Sequence, residues 1–191
     1  MYGSKRRIGM ALAAGIASIS VATALGATKE KTFSTGVISN GVAGSDSSTQ
    51  ALKVKTKGKI KDIDVVVGFD TFQNEDYSFV LRHPSGETVH LSSGNGGSGS
   101  GYGSGGCASA ATFDDESNVA IESTEGIDTL LAGTYEPEEL DSNTQQGGLD
   151  KLDGLKLNGK WELVFLSTEE TGAGDLECFE LEATYKSKKK K

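Results

Sequence analysis

Cysteine, histidine and proline each occur only twice in this chain of 191 residues. A zinc site of four cysteines is therefore excluded. One built from paired cysteines and histidines would need Cys107, Cys178, His83 and His90 together, and these are scattered. A hydrolase would have only His83 or His90 as its base, and no G-x-S-x-G presents a serine. Positive charge is also short: 19 Lys and Arg face 27 Asp and Glu, a net charge of −8. That deficit argues against nucleic acid as the main partner, because phosphate binding needs a cationic excess. Glycine is plentiful at 26 residues but has no Gly-X-Y period, which excludes collagen. An apolar share of 36% is enough for one core and excludes wholesale disorder.

The one long apolar run is N-terminal. Lys5, Arg6 and Arg7 precede Ile8–Leu25, which carries no charge, and small-residue exits follow at Ala22-Thr23-Ala24 and Leu25-Gly26-Ala27. Charged start, apolar run and small-residue exit mark a secretory signal peptide over residues 1–27. The competing reading is a retained anchor, since 18 residues is near the minimum for a span. Cleavage removes three positive charges and no negative one, leaving a more acidic, exported chain with no integral membrane segment.

From residue 28 onward the pattern has period 2, as in half-buried strands. Leu52 and Val54 alternate with lysine. Ile63, Val65, Val67 and Phe69 share one face of Ile60–Phe69, with Asp62 and Asp64 on the other. Phe79 and Leu81, Val89 and Leu91, and Trp161, Leu163 and Phe165 alternate in the same way. In the last segment Leu176 and Cys178 share a phase, and Phe179, Leu181, Ala183 and Tyr185 take the other, which predicts a β-bulge near Cys178. Pro84-Ser85-Gly86, Asn158-Gly159 and Gly172-Ala173-Gly174 read as turns, and Ser45–Gln50 and Asp141–Gly148 as polar loops. The expectation is one all-β sandwich or barrel over residues 28–185.

Residues 94–106 are a Gly/Ser run and read as a mobile surface loop. Gly101-Tyr102-Gly103-Ser104-Gly105-Gly106 fits G-x-G-x-x-G, but no helix follows to bind a pyrophosphate, so a dinucleotide site is rejected. The lysine-rich tail, 186–191, reads as a solvated end, with a tether to an anionic surface as the alternative.

Seven motifs in order carry a family resemblance. They are Gly58-x-Ile60-x-Asp62-Ile63-x-Val65-x-Val67; Asp76-Tyr77-x-Phe79-x-Leu81; His83-Pro84-Ser85-Gly86 with Thr88 and Leu91; Thr112-Phe113-Asp114-Asp115; Gly133-Thr134-Tyr135-Glu136-Pro137 with Leu140; Gly159-Lys160-Trp161-Glu162-Leu163; and Gly174-Asp175-Leu176 with Phe179 and Leu181. This series resembles the P domain (P/Homo B domain) of kexin-like and bacterial subtilisin-type serine endopeptidases, over about residues 33–185. Glu75, His83, Ser167 and Phe179 depart from the family pattern. The resemblance implies a jelly-roll-like β-sandwich that is not itself the catalyst. In the family this domain packs on the protease and supports its folding, stability and calcium or pH response. The chain is too short to hold a subtilisin-like catalytic domain as well. The expected function is a non-catalytic module that binds or stabilises a protein partner. The alternatives are an accessory subunit acting in trans on a separate protease, and an enzyme with an unrecognised site.

Two loops are rich in hard oxygen ligands suited to Ca2+: Asp70, Asn74, Glu75 and Asp76 in one, Asp114, Asp115 and Glu116 in the other. The candidate Ca2+ ligands are Asp70, Asn74, Asp76, Asp114 and Asp115, with solvated turn acids as the competing reading. Adjacent carboxylates such as Asp114/Asp115 or Glu138/Glu139 point to opposite faces of a strand and make no facing acid–base pair. His83 and His90 read as surface residues, and Trp161 as core. Cys107 and Cys178 are a candidate disulfide, since export permits one and only one intrachain pairing exists.

Overall fold

The computed structural model describes residues 27–103, 105–128, 130–138, 148–168 and 173–187. The apolar run, residues 141–147 and the last four lysines lie outside the described residues, as do Leu140 and Glu139. The described chain contains strands β1 (Thr28–Ser34), β2 (Asn40–Ala43), β3 (Ser47–Val54), β4 (Lys59–Asp70), β5 (Tyr77–Arg82), β6 (Thr88–Ser93), β7 (Ala111–Phe113), β8 (Thr134–Tyr135), β9 (Gly159–Ser167) and β10 (Ala173–Lys186). Its only helical elements are short 3-10 turns. One sheet runs β1-β10-β4-β7-β8, with β2 pairing the first residues of β10; the other runs β3-β9-β5-β6. This is the expected all-β sandwich.

The period-2 residues meet between the sheets. Val65, Val67 and Phe69 from β4 and Phe79, Leu81, Trp161, Leu163 and Phe165 from the facing sheet are fully buried. Phe69 packs edge-on against Tyr77, Phe79 and Phe165 at ring separations of 4.8, 5.1 and 5.8 Å. Such edge contacts suit the ring quadrupoles. Trp161 donates its indole N–H to the Leu157 carbonyl at 2.9 Å, so burying it leaves no orphan donor.

The long β4–β10 pairing has two register shifts. At the first, Leu176 faces Phe69 and Cys178 faces Gly68, so Glu177 is the extra residue of the predicted bulge. At the second, Tyr185 faces Ile60 while Thr184 faces Asp62, so Lys61 is extra on β4. That second shift lets Ile60 and Ile63 both enter the core although they are an odd number of positions, three, apart.

Three expectations are corrected. Ser47–Gln50 is not loop but the start of β3, paired with Leu166, Phe165, Val164 and Leu163 of β9. Its polar residues lie on an edge strand, partly fixed by Asn40 bonds to Ser48 and Gln50, so no apolar alternation marks it. Ala173-Gly174 is not a turn but pairs with Ala43 and Val42 of β2.

The third correction is the glycine-rich stretch, which is a packed plug rather than a surface loop. Tyr102 is fully buried, lies edge-on to Phe79 at 4.7 Å, and its hydroxyl pairs with that of Ser92 at 2.9 Å. Tyr102 and Phe69 also exchange backbone hydrogen bonds of 2.8 and 3.2 Å. The buried Asn74 side chain accepts from the Gly101 N–H at 2.6 Å and donates to the Gly101 carbonyl at 3.2 Å. Gly101 has φ +95°, and a Cβ there would collide with the Phe69 carbonyl. Glycine is thus required by close backbone approach.

The plug ends on the outer face of the first sheet. Glu177 Oε2 accepts the Gly105 and Gly106 N–H groups at 2.9 and 3.0 Å. Cys107 and Cys178 form a disulfide with Cα atoms 5.3 Å apart. Gly68 lies beneath, where a Cβ would come within 2.9 Å of the Gly106 carbonyl.

Two expected outcomes follow from the plug. Asn74→Ala strands the buried Gly101 amide, while the Gly101 carbonyl keeps its bond from the Leu131 N–H, and is expected to cost about 2 kcal/mol. Tyr102→Phe, which removes only the hydroxyl, is expected to cost about 1 kcal/mol. Urea unfolding of both variants checks this ordering. Reducing the Cys107–Cys178 bridge opens a loop with a sequence separation of 71 residues. The chain-entropy model then predicts a loss of about 4 kcal/mol, read from denaturation with and without reductant.

Candidate metal centre

The bulge geometry that fills the core from Ile60 and Ile63 puts Asp62 and Asp64 on the opposite face of β4. β7 runs antiparallel beside this strand, with Phe113 facing Val65. The chain leaving β7 therefore lays Asp114, Asp115 and Glu116 alongside Asp64 and Asp62. Asp114 N–H donates to the Tyr135 carbonyl at 2.9 Å, and Asp114 Oδ1 accepts the Glu116 N–H at 2.7 Å. This Asx turn holds the three acids in a tight bend. The 3-10 turn Leu149–Leu152 adds Asp150, and Asp153 follows it.

Two overlapping ligand sets result. One oxygen each from Asp62, Asp115 and Glu116 lie within 4.8 Å of one another, as do one each from Asp64, Asp114 and Glu116. A recess of about 40 Å³ is lined by Lys61 together with Asp62, Asp115, Glu116, Asp150 and Asp153. That volume exceeds the space one water needs. Asp62 Oδ1 is buried in it with no hydrogen-bond partner among the described residues. All donors are hard oxygens, with no imidazole or thiolate, so the set fits Ca2+ or Mg2+ and not a softer metal.

The protonation states report the crowding. Burial, then the charges of Asp62, Asp114, Glu116 and Glu182, push the Asp64 carboxyl up to about 7. Glu116 is also pushed up to about 7, first by its hydrogen bond with Asp114 and then by burial. Burial raises Asp62 and Asp115, with Asp114 adding to the first and Asp150 to the second. Without a compensating cation, like charges this close ionise together only at a cost in stability.

The structure unites Asp114 and Asp115 with Asp62, Asp64 and Glu116. It does not bring Asp70, Asn74 and Asp76 to them. Asp70 lies six residues along β4 from Asp64, about 20 Å away at strand rise. It is exposed at the strand end. The Asn74 amide is engaged with Gly101 at both ends, and Asp76 is buried in the 3-10 turn just before β5. The first predicted loop therefore anchors the plug. Asp62 and Asp64 were visible in the sequence only as outward strand residues; the signal that enlists them is the pairing of β7 with β4.

His83 is not a surface residue, contrary to expectation. It is 3% exposed and sits edge-on to Trp161 at 4.6 Å. Nε2 contacts the Lys156 carbonyl at 3.0 Å, which requires a proton there. Nδ1 then accepts from the Ser85 N–H at 3.0 Å and the Ser85 hydroxyl at 2.7 Å. Burial lowers its pKa. The Ser85–His83 contact resembles a nucleophile–base pair, but a backbone carbonyl stands where a triad has its carboxylate. His90 is half-buried between Val89 and Leu91.

No family model matches the chain, and no curated protein matches it. Among solved structures, a chain of the Aeromonas sobria serine protease–chaperone complex is similar at 16% identity and a TM-score of 0.48; the match covers 86% of this chain and 28% of that one. The serine protease of Aeromonas sobria is similar at 14% identity and a TM-score of 0.47, with coverages of 84% and 28%. The chain thus spans less than a third of either.

The acidic cluster gives a signed pH dependence. A carboxyl whose pKa is raised on folding stabilises the fold in full below its unfolded value. That contribution is lost as pH rises through the folded value. For Asp64 the window runs from about pH 4 to about pH 7. In chelator, Asp64→Asn is expected to leave the melting temperature nearly unchanged at pH 4 and to raise it at pH 8. Equal shifts at both values would show that Asp64 ionises freely.

Proposed function

We propose that the chain is an extracytoplasmic, non-catalytic P-domain-like module that binds or stabilises a protein partner, with a divalent cation, Ca2+ by its donor set, settling its acidic face. The observation that carries this reading is the acidic recess between β4, the chain after β7 and the 3-10 turn 149–152: a ready ligand set on a rigid sheet. The motif series in the sequence supports the module assignment. The disulfide suits an oxidising compartment. Large apolar side chains stand exposed at the plug end of the sandwich: Phe72, 87% exposed, between β4 and β5; Val37 beside Gly106; and Ile127 beside Gly97. These are the surfaces a partner protein would cover.

The cation acts here through stability. Asp62, Asp64, Asp114, Asp115 and Glu116 would hold it, and its charge would let these carboxylates ionise together. A folded state that binds metal gains stability with the logarithm of free metal, about 2.7 kcal/mol at 100 times the dissociation constant. The melting temperature is expected to rise in millimolar Ca2+ relative to chelator, and Asp115→Asn is expected to remove most of that rise. Identical melting in both conditions would overturn the cation part of the reading.

The second reading, an accessory subunit acting in trans on a subtilisin-like protease, rests on the same motif series. Both readings expect no turnover of casein or dibasic peptides by the purified chain with Ca2+ present. Activity that survives repurification and is lost in Ser85→Ala would reassign the Ser85–His83 contact to catalysis. A photo-crosslinker at position 72 is expected to capture a protein from the culture of the source, and one at exposed Thr49 on β3 is not.

A further inference from the structure

The end of the sandwich opposite the plug carries the reverse charge. Lys59 faces Lys186 across the β4–β10 pairing and faces Lys156 through an isolated bridge on its other side. Residues directly opposite in antiparallel pairs project from the same face, and like charges there are destabilising. Three lysines thus stand in one row across three neighbouring segments. Among the described residues the only ion pairs are those of Arg82 and Lys160 with Glu162, so the row has no carboxylate partner. Asp153, the nearest acid in sequence to Lys156, lines the acidic recess instead.

The row borders a built concavity. A recess of about 470 Å³ is lined by Lys59, His83, Pro84, Ser85, Leu155, Lys156 and Asn158. A second, of about 250 Å³, shares Lys59, Lys156 and Asn158 and adds Lys57 and Gly58. No carboxylate lines either. Lys59 Nζ spends one donor on the Gly154 carbonyl at 2.6 Å and keeps two. Leu155 and Pro84 supply an apolar wall. The larger volume is that of a small-molecule site.

Both ends of the described chain converge here. Thr28 faces Lys186, and Ser187 N–H reaches the Ala27 carbonyl at 3.4 Å. The uncharged run Ile8–Leu25 ends three residues before Thr28, and four more lysines follow Ser187 in the sequence.

We infer that this lysine pole docks on an anionic membrane surface, with a lipid phosphate seated between Lys59 and Lys156. The choice of lipid over a dissolved anion rests on position: the apolar run of the sequence joins the chain at this pole, so where the run is retained as an anchor the membrane it enters lies against these lysines. An apolar segment beside a basic cluster is the two-signal arrangement that gives stable membrane association. If the run is removed, the pole alone gives a reversible, salt-sensitive contact. The inference is independent of the partner and of the cation.

The test uses the full chain with vesicles of phosphatidylcholine alone or with 30% phosphatidylglycerol, read by co-sedimentation in low and physiological salt. The apolar run contributes to both compositions, so the readout is the ratio of the two partition coefficients. The ratio is expected to favour anionic vesicles and to shrink with salt. In the triple variant Lys57→Gln, Lys59→Gln, Lys156→Gln it is expected to fall by about 100-fold, at roughly fivefold per lysine. The triple Lys→Arg variant is expected to keep it. Melting of both variants at or above the temperature of the parent chain shows that the fold is intact. A preserved ratio in the Gln variant overturns the inference, as does its loss on deleting residues 188–191 alone. Binding to soluble polyphosphate without preference for anionic vesicles overturns it too.

Discussion

The structure depends on the register of two long neighbouring strands. β4 has 12 residues and β10 has 14, and they run side by side from the lysine pole to the plug. A pairing of that length cannot slip by one residue without turning every core side chain to solvent. The two bulges nonetheless change phase at chosen points. At Lys61 the shift lets Ile60 join Ile63 in the core and still leaves Asp62 and Asp64 on the outer face. At Glu177 it turns Leu176 and Phe179 inward and Cys178 outward, where Cys107 meets it. The disulfide, the acidic face and the lysine row are consequences of where β4 and β10 come into phase.

The plug explains how so many glycines are compatible with a packed core. A glycine-rich segment loses more conformational entropy on ordering than any other. Here the loss is offset by anchors of different kinds: the Tyr102 ring against Phe79, the Asn74 amide on Gly101, the Glu177 carboxylate on Gly105 and Gly106, and the disulfide. Glycine is needed because the backbone itself approaches the Phe69 carbonyl and the outer face at Gly68. Side chains would hold the segment away from both.

The strands were legible where one face is apolar and one polar, as in β4, β5, β6, β9 and most of β10. Even the Glu177 bulge was legible, because the apolar phase changes there. β3 was cut short because the face presented by Ser47–Gln50 is polar throughout and its order comes from partners elsewhere in the chain. The Asn74 loop read as metal-binding because an asparagine among acids has the composition of a Ca2+ loop. Only long-range packing against Gly101 shows that the amide is already engaged. His83 read as a surface residue because its neighbours Pro84 and Ser85 signal a turn; Trp161 and the Lys156 carbonyl, which bury it, lie more than 70 residues away. Half of the acidic site was legible in Thr112-Phe113-Asp114-Asp115, and the other half required knowing that β7 pairs with β4.

Charge is sorted along the molecule. With few cations overall, an even distribution would place each lysine beside an acid and neutralise both. Instead Lys57, Lys59, Lys156 and Lys186 gather at one end, while Asp62, Asp64, Asp114, Asp115 and Glu116 gather on the outer face a few residues along the same strand. Each group repels itself, and each repulsion lowers stability in the absence of counter-charge. A fold selected for stability alone would have mixed them, since opposite charges at neighbouring strand positions are mildly favourable. On the readings proposed above, the two groups would meet two different external counter-charges: a cation small enough for a recess of about 40 Å³, and an anion broad enough to span the row from Lys186 to Lys156. The plug end, with Phe72 and Val37 exposed, presents apolar surface instead.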